Sequence, residues 1–190
     1  MTSARHFLVA PHKGIKDIYI EITFMDNTLI VFASNHGTVE KCARELFRLM
    51  DGKVDICNLD RRDFTPELSG YDSIIIGGSI HSGRIQDVIA EFCRENVSVL
   101  SGKHIGLFIN CLYSGEKALK QLDDAFPEIL NQKAVVRDYF GGEVDKIKLS
   151  FWERIITTQM IEKEDLVVTL SKEKIERFAQ IMLSTYEAKN

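Results

Sequence analysis

After residue 25 the hydrophobic pattern switches repeatedly between short apolar runs and longer stretches of helical period. Thr28–Ala33 (TLIVFA), Tyr71–Gly77 (YDSIIIG) and His104–Asn110 (HIGLFIN) are continuous apolar runs of strand length. Lys53–Leu59 and Ala134–Phe140 are half-apolar and complete a set of five predicted strands. The intervening segments repeat apolar residues every three or four positions. Val39, Cys42, Ala43, Leu46, Phe47 and Met50 form one predicted helical face, and Ile85, Val88, Ile89, Phe92 and Cys93 a second. Ala118, Leu119, Leu122, Ala125 and Phe126 form a third. Ile175, Phe178, Ala179, Met182 and Leu183 form the last, behind a Ser171 cap. Asp60–Gly70 is too short and too interrupted by Pro and Gly for a long helix, so a single turn is expected there. Strands alternating with helices predict an α/β fold: a doubly wound, five-stranded parallel sheet of order 2-1-3-4-5. Such a sheet binds ligands at the carboxyl ends of its first, third and fourth strands.

Two segments stand outside this alternation. Residues 1–24 hold no sustained period beyond the strand-like Ile18–Phe24, and Met25 directly precedes the main domain. The expectation is a dispensable N-terminal extension before a domain spanning 25–190, with His6 and His12 as bystanders. The second segment, 141–170, separates the fifth strand from the last helix. Phe151, Trp152, Ile155, Ile156 and Met160 share one helical stripe there. That stripe reads either as a helix packed on the domain or as a lid, a partner-docking face or a shallow membrane contact, with Phe151, Trp152, Ile155 and Ile156 as its docking contacts.

Composition narrows the class. A chain of 190 residues with 45% hydrophobic content fits one domain. A formal charge of −4 gives no support for nucleic-acid binding. Cys42, Cys57, Cys93 and Cys111 are widely spaced, without a C-x-x-C pair or a zinc-like Cys/His cluster, so no metal site is expected. They read as reduced core residues of a cytoplasmic protein. No run reaches membrane-spanning length, so no transmembrane segment is expected.

Candidate chemistry concentrates at three strand ends. The first carries Ser34, Asn35, His36, Gly37, Thr38 and Val39, where an apolar strand hands over to a helix. Backbone N–H groups, two hydroxyls and the helix dipole converge there, which suits a phosphate. With no Lys or Arg in the loop, neutral donors would hold it. Gly37 allows a close approach or a positive φ. The third strand ends in the Gly/Ser-rich stretch Gly77–Arg84, with Ser79, Ile80, His81, Ser82 and Gly83 as candidate contacts. The fourth ends in Asn110, Cys111, Leu112, Tyr113, Ser114 and Gly115. Polar backbone with little formal charge suits a neutral heterocycle attached to a monophosphate. A receiver domain would need carboxylates where Ser34 and Asn35 stand, and neither a P-loop nor a G-x-G-x-x-G dinucleotide fingerprint is present. No nucleophile arrangement is legible, and His36 and His81 read as solvated loop residues, so no catalytic residue is assigned.

Residues Thr28–Glu187 resemble the flavodoxin-like domains, particularly the branch that includes menaquinone-dependent protoporphyrinogen dehydrogenase. VFASNHGTVEKCA (Val31–Ala43), YDSIIIGGSIHSGRI (Tyr71–Ile85) and DYFGGEVDKIKLSFWERI (Asp138–Ile155) carry the resemblance. It implies FMN, with its phosphate in the first loop and its isoalloxazine flanked by the second and third. It also implies electron transfer to a redox partner protein or a quinone. Gly83, or the Gly77–Gly78 pair, would give the peptide beside the ring its freedom. One departure is Val39, where the family usually has a hydroxyl residue. A second is the acidic run Glu116, Asp123, Asp124 and Glu128, which suits a porphyrin polycarboxylate poorly. The readings that stay open are an FMN electron-transfer protein, a quinone-dependent protoporphyrinogen IX dehydrogenase, and a cofactor-free binding module.

Overall fold

The apolar runs become the central strands of a sheet in a computed structural model that describes residues 27–34, 37–61, 66–142 and 169–187. In chain order the elements begin β1 (Asn27–Phe32), α1 (Thr38–Leu49), β2 (Lys53–Asn58), a 3-10 turn at Leu68–Gly70, and β3 (Ser73–His81). They continue with β4 (Arg84–Ile85), α2 (Asp87–Glu95), α3 (Val97–Leu100) and β5 (His104–Asn110). The last are α4 (Gly115–Ala125), α5 (Glu128–Lys133), β6 (Val136–Tyr139) and α6 (Lys172–Glu187). The strand order is β2-β1-β3-β5-β6, and all four of these pairings are parallel. This is the predicted 2-1-3-4-5 winding. The single expected turn is the 3-10 turn, and Ser171 caps α6 by accepting the Lys174 N–H at 3.3 Å.

Both faces of the sheet are covered, as a parallel sheet requires. Leu29, Val31, Ile74, Ile76, Leu107 and Ile109 pack under α2, α4 and α5. Ile30, Phe32, Ile75 and Phe108 pack under α1 and α6. On the second face Phe108 stacks on Phe140 at 4.8 Å between centroids, and both meet the edge of Phe178. Two strand glycines make room for these rings. A Cβ on Gly77 would run into the Phe108 ring, and one on Gly106 would lie 2.7 Å from Phe178.

Several boundaries differ from the sequence expectations. The third strand does not end at Gly77. It pairs with β5 through Gly78↔Ile109 and Ser79↔Asn110, then folds back on itself. The turn is Ser82–Gly83, with φ of 51° and 82°, and β4 pairs antiparallel through His81↔Arg84 and Ile80↔Ile85. Two consecutive positive φ values match the right-handed twist of a two-residue hairpin. The sheet therefore gains a sixth strand, and Ile85 belongs to β4 while the helix starts at Asp87. Phe47 and Leu119 are exposed rather than core. Each follows a buried residue by about 100° of helical rotation, which carries it off the buried stripe.

Candidate functional site

In a parallel sheet the carboxyl ends share one edge. The loops after β1 and β5 and the hairpin that ends β3 therefore come together, as the register Phe32↔Gly77↔Phe108 shows. The first loop is organised by Ser34. Its Oγ accepts the N–H groups of Gly37 at 3.0 Å and Glu40 at 3.4 Å, so the hydroxyl satisfies two amides at the start of α1. The Ser34 N–H donates to Asp60 Oδ2 at 2.6 Å. Asp60 is held in turn by its own N–H, donated to Asn58 Oδ1 at 3.0 Å.

Gly37 precedes α1 with φ of 84°, and nothing lies within 4 Å of where a Cβ would be. The space beside it is open. Thr38 begins the helix half-buried, whereas the Val39 side chain is buried in the core. Any contact from Val39 is therefore made by its backbone. Asn35 and His36 lie outside the described residues. The nearby Arg44 guanidinium pairs with Glu40 at 2.7 Å, which leaves the loop to its neutral donors. A cleft of about 440 Å³ opens beside it, lined by Phe32, Glu40, Arg44, Ile56, Cys57, Asn58 and Arg61.

At the second position Ser79 donates its N–H to Gln86 Oε1 at 2.9 Å. Ile80 packs against the core, His81 pairs with Arg84, and Ser82 and Gly83 form the exposed turn. Gly77 and Gly78 are paired strand residues, whereas Gly83 lies in the exposed turn. Gln86 lay outside the sequence reading. Its signal is its place just before α2, but its partner seven residues upstream depends on the hairpin.

The third loop is anchored from below. The Asn110 side chain is buried and donates through Nδ2 to the Gly141 carbonyl at 2.9 Å, with Cys42 Sγ at 3.4 Å. Burial raises the Cys111 thiol above its ordinary pKa, against smaller lowering effects of its backbone contact with Tyr113 and of Lys174. A buried thiol of this kind is no nucleophile. Leu112 packs where a Cβ on Gly142 would otherwise sit, 2.8 Å away. Lys117 Nζ lies 3.3 Å over the Tyr113 ring. Ser114 precedes α4, and Gly115, at φ of 58°, donates its N–H to the Tyr139 hydroxyl at 3.2 Å. Lys174 joins the group over the Tyr139 ring and in an ion pair with Asp138 at 2.8 Å.

Buried side-chain atoms at this edge without a hydrogen-bond partner among the described residues include the acceptor Asn110 Oδ1 and the donor Gln86 Nε2. Native proteins rarely leave such atoms unmatched. The model of the flavodoxin domain family matches residues 29–166. The chain belongs to the flavodoxin domain family. Membership implies a flavin-binding domain, and the residues present fit one. The open backbone at Gly37 suits a phosphate, and the orphaned amide atoms suit a ligand bearing hydroxyls and ring amides.

This flavodoxin domain is similar in structure to oxidised flavodoxin 1 from Bacillus cereus, at 16% identity and a TM-score of 0.51, over 84% of this chain and 98% of that one. A short-chain flavodoxin associated with a bacterial microcompartment gives 14% and 0.55, over 85% and 99%. Rubredoxin oxygen:oxidoreductase from Desulfovibrio gigas gives 17% and 0.54, over 89% of this chain and 38% of that one. No curated protein sequence matches the chain. Among the described residues no helix is long and apolar enough to cross a membrane. Phe151, Trp152, Ile155 and Ile156 lie outside those residues.

Proposed function

We propose that this protein binds FMN without a covalent link and passes electrons between redox partners. The observation that carries the reading is the orphaned Asn110 Oδ1, buried at the sheet edge that also presents the open, left-handed Gly37 loop. An acceptor there can pair with a hydroxyl or N–H of a ligand, and FMN offers both beside a phosphate. When bound, the flavin would supply the electron-accepting ring.

The protein's own part is to bind, orient and screen. Ser34, Gly37 and Thr38 would hold the phosphate through neutral donors at the start of α1. The Ser79–Gly83 hairpin and the Asn110–Gly115 loop would flank the ring. Tyr113, steadied by Lys117, offers an aromatic surface with two rotatable side-chain bonds and little freedom left to lose. The stripe Phe151, Trp152, Ile155 and Ile156 is assigned to docking a redox partner protein or quinone. Membership of the protoporphyrinogen dehydrogenase branch gains no support from the charge pattern. Among the described residues, Lys117 and Lys174 lie over Tyr113 and Tyr139 rather than forming a clamp for a polycarboxylate.

The test is a visible absorption spectrum of the purified protein, followed by titration of the apoprotein with FMN, FAD and riboflavin. A flavin spectrum with tightest binding of FMN is expected. Absence of any flavin binding would identify a cofactor-free module, and equal or tighter FAD binding would overturn the monophosphate assignment.

A further inference from the structure

Beside the first loop, a negative charge sits where a phosphate site would be expected to exclude one. Asp60 Oδ2 accepts the Ser34 N–H at 2.6 Å, and the same serine's Oγ already accepts from Gly37 and Glu40. Among the described residues, the amides of Ser34, Gly37 and Glu40 are thus satisfied within the protein, the first of them by a carboxylate. The Asp60 backbone N–H is donated to Asn58 Oδ1, which shapes the turn that carries the carboxylate. The nearest arginine in its own turn, Arg61, is exposed, and Arg44 is paired with Glu40. Neither forms an ion pair with Asp60 in the structure.

We propose that Asp60 is a charge gate on the first loop, which weakens binding of a phosphate dianion while bracing the loop through the Ser34 N–H. The inference rests on the FMN reading of the loop. A carboxylate hydrogen-bonded to one of an anion's donors raises the free energy of a doubly charged guest by Coulomb repulsion. Because Asp60 is exposed, screening limits the size of the effect. Its effect should follow the guest's charge and not its ring. The gate would tune flavin affinity downward, which favours exchange of cofactor with the surrounding pool over permanent retention.

Asp60→Asn separates charge from position, since the amide oxygen still accepts the Ser34 N–H. Fluorescence titrations of the full chain with FMN and with riboflavin, which lacks the phosphate, read the two contributions. FMN should bind about threefold or more tighter to D60N than to the parent, while riboflavin affinity stays unchanged. The FMN difference should shrink as salt is raised. Asp60→Ala serves as the second variant, because it also removes the acceptor. Weaker FMN binding by D60A together with unchanged binding by D60N would make Asp60 a positioning residue and overturn the gate. An equal gain for riboflavin and FMN in D60N would overturn it as well. Should the parent bind neither flavin, the FMN reading itself falls, and that outcome is distinct from an unchanged FMN-to-riboflavin ratio.

Discussion

A single left-handed residue decides whether the first loop can form. Gly37 takes φ of 84° with open space beside it, so a side chain there meets conformational strain and no clash in the structure as described. Gly37→Ala should cost about 1–2 kcal/mol at that position, weakening FMN binding roughly five- to thirtyfold without unfolding the domain. Gly37→Asn should be milder, because asparagine tolerates the left-handed region. Calorimetric titration of both variants checks the order. Asn110 carries a second prediction. Asn110→Ala removes the bond to Gly141 and should lower apoprotein stability by about 1 kcal/mol. It should also reduce the rise in melting temperature produced by saturating FMN, whereas an undiminished rise would show that Oδ1 meets no ligand. The cysteines give a pH prediction. Burial pushes the Cys93 thiol up to about 12 from its ordinary 9.0 and also raises Cys57. A raised thiol pKa stabilises the fold fully below the unfolded value, and that contribution is lost as pH climbs toward the folded one. Urea midpoints should therefore fall between pH 9 and 11, and Cys93→Ala should flatten that slope.

At the scale of elements, the strand glycines matter for packing rather than for turns. Gly77 lies under the Phe108 ring, within the cluster that Phe108 forms with Phe140 and Phe178. Gly77→Ala should destabilise the domain by about 1–3 kcal/mol through overpacking. The midpoint of urea unfolding should drop with an unchanged slope, the sign of lost stability without a changed denatured state. The β3–β4 hairpin was within reach of the sequence. Its Ser82–Gly83 dipeptide between Ile80–His81 and Arg84–Ile85 is a hairpin signal, yet the run of Gly and Ser beginning at Gly77 reads equally well as a loop. What settles it is pairing of Gly78 and Ser79 with β5, a contact between segments about thirty residues apart. The short helices α3 and α5 were missed for the opposite reason. Each is too brief to show a period, and each is fixed by one core residue, Leu100 or Leu130.

On the scale of the whole molecule, five parallel strands with helices on both faces bring three distant loops to one edge. The stripe of 141–170 is the proposed docking surface. Trp152→Ala with Ile156→Ala should leave FMN absorbance and the far-ultraviolet spectrum intact, while slowing electron exchange with a protein or quinone partner more than with a small artificial acceptor. Loss of folding, or equal rates with both acceptors, would remove that assignment. The sequence alone determined the strand order class, the two-sided core and the three candidate loops, because hydrophobic period and glycine placement are local properties written along the chain. Only the tertiary structure decided which atoms those loops hold. Ser34 meets Asp60 across 26 residues and Asn110 meets Cys42 across 68. Contacts of that span are set by strand register and helix packing, which no local pattern encodes.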